Sequence, residues 1–145
     1  PGTPFVAELT GAELLLHGIV ESVVDGLAAV RISPDLVVWS AVQSESALQI
    51  GAGAVVAYRP EDVILAATNA VQETSAVNRL PAYVDTIVPA GALTRVRIRT
   101  GDGIVLTALL TRRSVETLDL SAGRAVTAHI KAAALHAWAR DAQRL

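Results

Sequence analysis

Three short motifs in the second half of the chain carry residue types suited to binding an anion. They are SAVN at 75–78, TRRS at 111–114 and IKA at 130–132, which contains the only lysine of the sequence. The motifs supply small hydroxyls, one ammonium group and no carboxylate. Because a fully ionised tetrahedral oxyanion offers only hydrogen-bond acceptors, a selective site must present donors and exclude carboxylates. Taken singly, the same residues would be turn caps and a solvated charge.

Other kinds of chemistry find little support. A phosphate-binding P-loop needs Ser or Thr after its lysine, whereas Ala132 follows Lys131. The chain has no cysteine, and His17, His129 and His136 lack the spacing of metal ligands, so we expect no metal site and partly buried structural histidines. No Ser, His and Asp residues occur in the nucleophile-elbow sequence context that acyl transfer would require. These motifs therefore predict a binding protein and not an enzyme.

The composition indicates one ordinary domain or two small ones. The chain has 145 residues, of which 52% are hydrophobic, and a net charge of −2. No apolar run approaches the roughly 18 to 20 residues of a membrane span, so we expect no direct membrane insertion. The sequence contains no methionine. We therefore expect a piece of a longer protein, most simply a C-terminal part.

The sequence repeats itself at an offset of 72 residues. Residues 48–66 align with 120–138, so that Gly51 meets Gly123. Each half has short β-rich segments, tight turns and a polar stretch long enough for about one helical turn. We predict an all-β fold of tandem OB-like five-stranded barrels, each with one short helical turn. A β-sandwich is the competing architecture. The predicted division is a first module at 1–66, a linker and start of the second module at 67–78, and a second module with a C-terminal tail at 79–145.

The motif segments resemble a known family. SAVNRLPAYVDTI, LTALLTRRSVETLDLSAG and AVTAHIKAAALH are similar to the Mop form of the TOBE domain, in which Ser-Ala-Arg-Asn, Thr-x-x-Ser and Lys-Ala surround molybdate or tungstate. This resemblance covers residues 75–138. Residues 5–66, with FVAELTGA and YRPEDVILA, resemble the preceding TOBE module of ABC importer ATPases. The resemblance implies OB-like barrels from the C-terminal regulatory region of an importer's ATP-hydrolysing subunit.

The resemblance also implies a ligand set and shows one departure from the family. Val77 stands where the family has arginine, and Ala82 where a glycine usually follows. One positive charge is therefore missing from the site unless Arg79, Arg112 or Arg113 replaces it. The first module has Arg-Pro in place of Lys-Ala, and we expect it to be structural. The implied oxyanion ligands are Ser75, Ala76, Thr111, Ser114, Lys131 and Ala132.

The leading function that the resemblance implies is a regulatory oxyanion sensor of a molybdate or tungstate importer. Its ligand would be the oxyanion, with no cofactor, and the fragment itself would be no enzyme because it lacks Walker motifs. The implied partners are a second copy in a homodimer, the ATPase domain of the parent chain and the membrane permease subunits. The implied location is cytoplasmic, peripheral at the inner face of the membrane.

Two other functions remain as alternatives. The chain could be a ligand-free dimerisation and docking module of a related importer for another solute. It could also be an OB-fold nucleic-acid binder, because Arg95, Arg97 and Arg99 alternate along one strand. Aromatic residues make up only 3% of the chain and the pI is about 5.9. Both values argue against recognition of a nucleic acid by stacking on its bases. We therefore expect no nucleic-acid partner.

Overall fold

The computed structural model describes residues 14–42, 48–67 and 74–140. Within these ranges the chain forms ten strands, one helix and two 3-10 turns. Helix α1 is Arg112–Thr117, and the 3-10 turns are Pro60–Asp62 and Ala132–Ala134. The strands are β1 (Leu14–Val24), β2 (Leu27–Ser33), β3 (Leu36–Ala41), β4 (Gly53–Tyr58), β5 (Ile64–Ala67), β6 (Asn78–Ala90), β7 (Leu93–Arg99), β8 (Val105–Thr111), β9 (Ala125–Ile130) and β10 (His136–Ala139).

Helix α1 confirms the helical turn predicted in the second half. The equivalent turn predicted for QSESALQIG falls largely on residues 43–47, outside the described residues. Residues 68–73 of the predicted linker and residues 141–145 of the predicted tail also lie outside them.

Alternating burial along the strands shows why these segments form sheets. In β7 the buried residues Thr94, Val96 and Ile98 alternate with Arg95, Arg97 and Arg99. Because successive side chains of a strand point to opposite faces, one face of β7 joins the core and the other carries the arginines. The predicted arginine face is thus an outward face of the sheet.

The first unit is a closed barrel with the strand order β1-β2-β3-β10-β4. Its core contains the fully buried side chains of Val30, Val38, Val55 and Val56. Gly18 of β1 lies against β2, where an added Cβ would stand 2.4 Å from the carbonyl oxygen of Arg31. The close approach of these two strands therefore requires glycine at position 18.

The second unit is a five-stranded sheet with the order β5-β9-β6-β7-β8. Its ladders are antiparallel throughout. Val96, Ile98, Leu106 and Val126 form much of its core. The 3-10 turn Pro60–Asp62 packs against β8. Strand β6 is long enough to pair first with β9 and then with β7.

Two glycines occupy equivalent positions in the two repeats. The N–H of Gly51 donates to the carbonyl oxygen of Val20, and the N–H of Gly123 donates to that of Val84, each at 2.8 Å. Both glycines have positive φ, +90° and +88°. The ladder shifts register immediately after each valine, between Val20 and Ser22 and between Val84 and Thr86. The repeat seen in the sequence is thus a repeat of backbone structure.

The closing strands are exchanged relative to the predicted modules 1–66 and 79–145. Strand β5, from the first repeat, pairs with β9, whereas β10, from the second repeat, pairs with β3 and β4. The described part of unit 1 is therefore 14–42, 48–59 and 131–140, and that of unit 2 is 60–67 and 74–130. The closing strands of both repeats carry similar short apolar patterns, so the sequence alone suits pairing with either repeat.

The predicted fold class is confirmed. The chain is mostly β, in two five-stranded units, and the first unit closes into a barrel. The ladder of the second unit does not close, in keeping with the prediction of OB-like barrels that are closed or nearly closed. The competing prediction of a single β-sandwich is wrong. A sandwich consists of two open sheets packed face to face, whereas the first unit is a closed barrel. Within the three described ranges, no helix is long and apolar enough to cross a membrane.

Candidate functional site

The end of the β6–β9 ladder brings together the first and third motifs. Asn78, the first residue of β6, pairs with Ile130, the last residue of β9. Asn78 is only 2% exposed, and its Nδ2 donates to the carbonyl oxygen of Ile130 at 3.1 Å. Lys131 is the next residue of the chain, so its Cα lies about 3.8 Å from that of Ile130. The ladder thus places Asn78 of SAVN opposite Ile130 of IKA.

Ser75 and Ala76 directly precede this strand. Ser75 is exposed and Ala76 is buried. The N–H of Ala76 donates to Oγ1 of Thr74 at 3.1 Å. The backbone donor expected at Ala76 is therefore engaged within its own segment, and it would have to exchange the Thr74 hydroxyl for a ligand.

Thr111 and Ser114 meet at the start of α1. Thr111 is the N-cap, and its Oγ1 accepts the N–H of Ser114 at 3.1 Å. The same hydroxyl donates to Oγ of Ser114 at 3.0 Å. Because the Thr111 hydrogen is used in this bond, the hydroxyl of Ser114 is the member of the pair that can donate outward. The spacing of Thr-x-x-Ser is thus also that of a helix cap.

Lys131 and Ala132 begin the second 3-10 turn. Lys131 has an extended backbone, and its carbonyl oxygen accepts the N–H of Ala134 at 3.0 Å. Ala132 opens the turn, so its N–H has no acceptor within the turn. The equivalent residue in the first repeat is Pro60, which has no N–H to donate. This difference supports the prediction that the first module lacks an oxyanion site.

The ammonium group of Lys131 lies on an exposed side chain. Over residues 14–42, 48–67 and 74–140, the salt bridges are Arg31 with Glu21 and Arg99 with Asp85, and neither involves Lys131. The lysine therefore has no carboxylate competing for it in this part of the chain. The same ranges hold no group of three His, Cys, Asp or Glu residues suited to a metal ion.

The three histidines differ in their surroundings. His17 and His136 are exposed, so the prediction of partly buried histidines is wrong for them. His129 is 8% exposed, and its buried Nδ1 has no hydrogen-bond partner in the part of the chain that the structure describes. Burial, and to a lesser extent the positive charge of Arg79, lowers the pKa of His129 below its ordinary value of 6.5. The prediction of a partly buried histidine is confirmed for His129.

The arginines that could replace the family's arginine are placed differently. Val77 is 56% exposed, and Arg79 follows it two residues later, also exposed. Residues two apart in an extended segment share a face, so Arg79 lies on the side of Val77. Arg112 and Arg113 are exposed in the first turn of α1, next to Thr111.

These features define a class of protein: tandem OB-like β domains built from two five-stranded units. Residues 74–137 match the TOBE domain family, which confirms the resemblance seen in the motifs.

Curated relatives are importer subunits. The chain is 31% identical over 136 residues, 94% of its length, to the molybdate/tungstate import ATP-binding protein WtpC of Pyrococcus horikoshii. It is 51% identical over 67 residues, 45% of its length, to the molybdenum import ATP-binding protein ModC of Thiobacillus denitrificans. The chain spans only 35% and 18% of these two relatives.

The fold also matches a solved structure. A crystal structure of the cytoplasmic molybdate-binding protein ModG, with molybdate bound, superposes with a TM-score of 0.77. The match covers 87% of this chain and 95% of ModG at 24% identity. At this identity the likeness concerns the fold, and it supports the tandem OB-like architecture described above.

Proposed function

We propose that the chain is the oxyanion-sensing regulatory region of an ABC importer's ATP-binding subunit, with molybdate or tungstate as ligand. The relatives named for molybdate and tungstate import support this, as does the TOBE match over residues 74–137. In this proposal the parent chain carries the ATPase domain and works with permease subunits at the inner face of the membrane. The region forms a homodimer, and bound oxyanion favours one dimeric arrangement and slows transport.

One observation carries the proposal: the buried hydrogen bond between Asn78 and Ile130. This bond holds the end of the ladder from which Ser75 and Ala76 on one strand and Lys131 and Ala132 on the other extend. A rigid strand end keeps donors in place before the anion arrives, which lowers the entropy lost on binding.

The proposed ligands divide by chemistry. Lys131 supplies charge, Ser75 and Ser114 supply hydroxyl donors, and Ala132 supplies a backbone N–H. Thr111 orients Ser114 through the bond between their hydroxyls and contributes its own hydroxyl when that bond opens. Ala76 contributes its N–H after release from Thr74. A site of this composition binds a tetrahedral dianion through donors alone.

The experiment is calorimetric titration of the chain with molybdate, tungstate and sulfate at low salt, where screening is weak. Lys131→Ala should weaken oxyanion binding roughly ten- to a hundredfold, because a charge-assisted hydrogen bond contributes about 1.5 to 3 kcal/mol. Arg59→Ala is the matched control, since Arg59 is the exposed cation that follows β4 as Lys131 follows β9. Equal effects of the two substitutions would contradict the proposal.

Two further variants test the nature of the charge. Lys131→Arg should also lose affinity, because a planar guanidinium does not replace a compact ammonium in a small site. Val77→Arg restores the residue of the family and should tighten binding. Its side chain starts from an exposed position, so the substitution does not disturb the core.

The second candidate function is a dimerisation and docking module without a ligand. The engaged N–H of Ala76 and the absence of arginine at position 77 favour it. Sedimentation showing a dimer at micromolar concentration, together with no heat of binding for any of the three anions, would select this function over the sensor.

A further inference from the structure

The cross-strand pair of Arg79 and His129 lies beside the motifs and belongs to none of them. The two residues are direct partners in the β6–β9 ladder, one position from Asn78 and Ile130. Nδ1 of His129 is buried and has no hydrogen-bond partner among the described residues. Buried polar atoms in folded proteins are nearly always bonded, so an unpartnered nitrogen next to a proposed binding site needs an explanation.

Arg79 lies near the position of the absent arginine. Asn78 and Leu80 are buried, whereas Val77 and Arg79 are exposed, so the last two share the other face of the segment. Two residues of extended chain span about 6.6 Å. A guanidinium on a flexible side chain can therefore serve the place that Val77 leaves without charge.

The charges around His129 are one-sided. Its partners in the neighbouring strands are Ile64 on β5 and Arg79 on β6. Thr127 within β9 and Lys131 just after its end are two residues away on either side. Burial first, and then the charge of Arg79, lowers the pKa of this imidazole, and no carboxylate of the described residues opposes them. A dianion bound at this strand end would supply the missing negative charge.

We propose that Arg79 and His129 complete the oxyanion site, Arg79 as a second cationic group and His129 as a group that takes up one proton when the dianion binds. This inference rests on the proposed function and extends it to residues outside the three motifs. The proton passes from solvent to an imidazole nitrogen, and no covalent bond forms or breaks. Anion binding and protonation of His129 then stabilise each other, so the affinity depends on pH.

The test measures proton uptake by the whole chain on binding tungstate, with sulfate as a second dianion. Calorimetry in two buffers of different ionisation heat counts the protons, and NMR titration of the imidazoles gives the pKa of His129 with and without tungstate. We expect net proton uptake, a higher pKa of His129 in the complex, and affinity that rises as pH falls from about 7.5 to 6, by at most about tenfold per unit for one proton.

Matched variants assign the effect. His129→Gln should abolish the proton uptake, whereas His136→Gln, at an exposed histidine, should leave it unchanged. Arg79→Gln should weaken binding about tenfold or more, and Arg95→Gln, on the outward face of β7, should not.

The outcomes separate the two proposals. Tungstate binding without proton uptake and with an unchanged pKa of His129 would overturn this inference and leave the sensor function standing. Absence of binding by the unaltered chain at every pH would overturn the sensor function, and this inference with it. The NMR measurement needs no variant, so a misfolded substitution cannot obscure the result.

Discussion

Replacing Asn78 by alanine should weaken both the second unit and the proposed site. The side chain is 2% exposed and donates to the carbonyl oxygen of Ile130 at 3.1 Å. Its loss leaves that oxygen buried without this donor. An unsatisfied buried group costs about 1 to 3 kcal/mol, so we expect the free energy of unfolding to fall by about 2 kcal/mol. Oxyanion affinity should fall as well, because the strand ends that carry Ser75 and Lys131 lose their link.

Urea unfolding followed by far-ultraviolet circular dichroism measures the stability. Fluorescence would be biased, because Trp39 and Trp138 both belong to unit 1. Ser40→Ala is the control: Ser40 is also buried, but its hydroxyl donates to the carbonyl oxygen of the neighbouring Ala41 and it belongs to none of the motifs. A loss below about 0.5 kcal/mol for Asn78→Ala, with unchanged oxyanion affinity, would refute the reasoning.

Three other substitutions test the fold and its electrostatics. Gly18→Ala should destabilise the first unit by about 3 kcal/mol or more in thermal unfolding, because the added Cβ meets backbone, whereas Gly101→Ala meets nothing within 4 Å and should be nearly neutral. Thr111→Ala should lower stability by about 1 kcal/mol through loss of the helix cap, and Thr111→Ser should restore it. Folding lowers the pKa of His129, so as pH falls the unfolded chain takes up the proton at a higher pH than the folded chain does. The free energy of unfolding should therefore decrease as pH drops through about 6.5. His129→Gln should reduce this decrease in urea unfolding measured at several pH values.

One local contact within the proposed site could be predicted from residue types and spacing. The Thr-x-x-Ser spacing predicted a hydroxyl pair, and the structure joins Thr111 to Ser114 by two hydrogen bonds. That contact is local, within one turn of helix, which is why the sequence reveals it. The hydrogen bond from the N–H of Ala76 to the hydroxyl of Thr74 is also local. It depends, however, on where the Thr74 hydroxyl points, which residue spacing does not define.

Features set by long-range pairing could not be predicted in the same way. The ladder register places Arg79 opposite His129, 50 residues further along the chain, and His129 is 8% exposed. Strand alternation in AVTAHI indicates which side His129 faces, but not what lies beside it. The sequence therefore classed all three histidines alike, and two of them proved exposed.

The amino-acid sequence by itself determined the two repeats, their turns and the faces of their strands. These follow from short-range rules: alternation of buried and exposed residues, and positive φ at Gly51 and Gly123. Tertiary structure decided which repeat each closing strand joins. Strands β5 and β10 have four residues each, and both present short apolar patterns to a partner. Because that local pattern suits either repeat, only packing of the complete chain assigns β5 to unit 2 and β10 to unit 1.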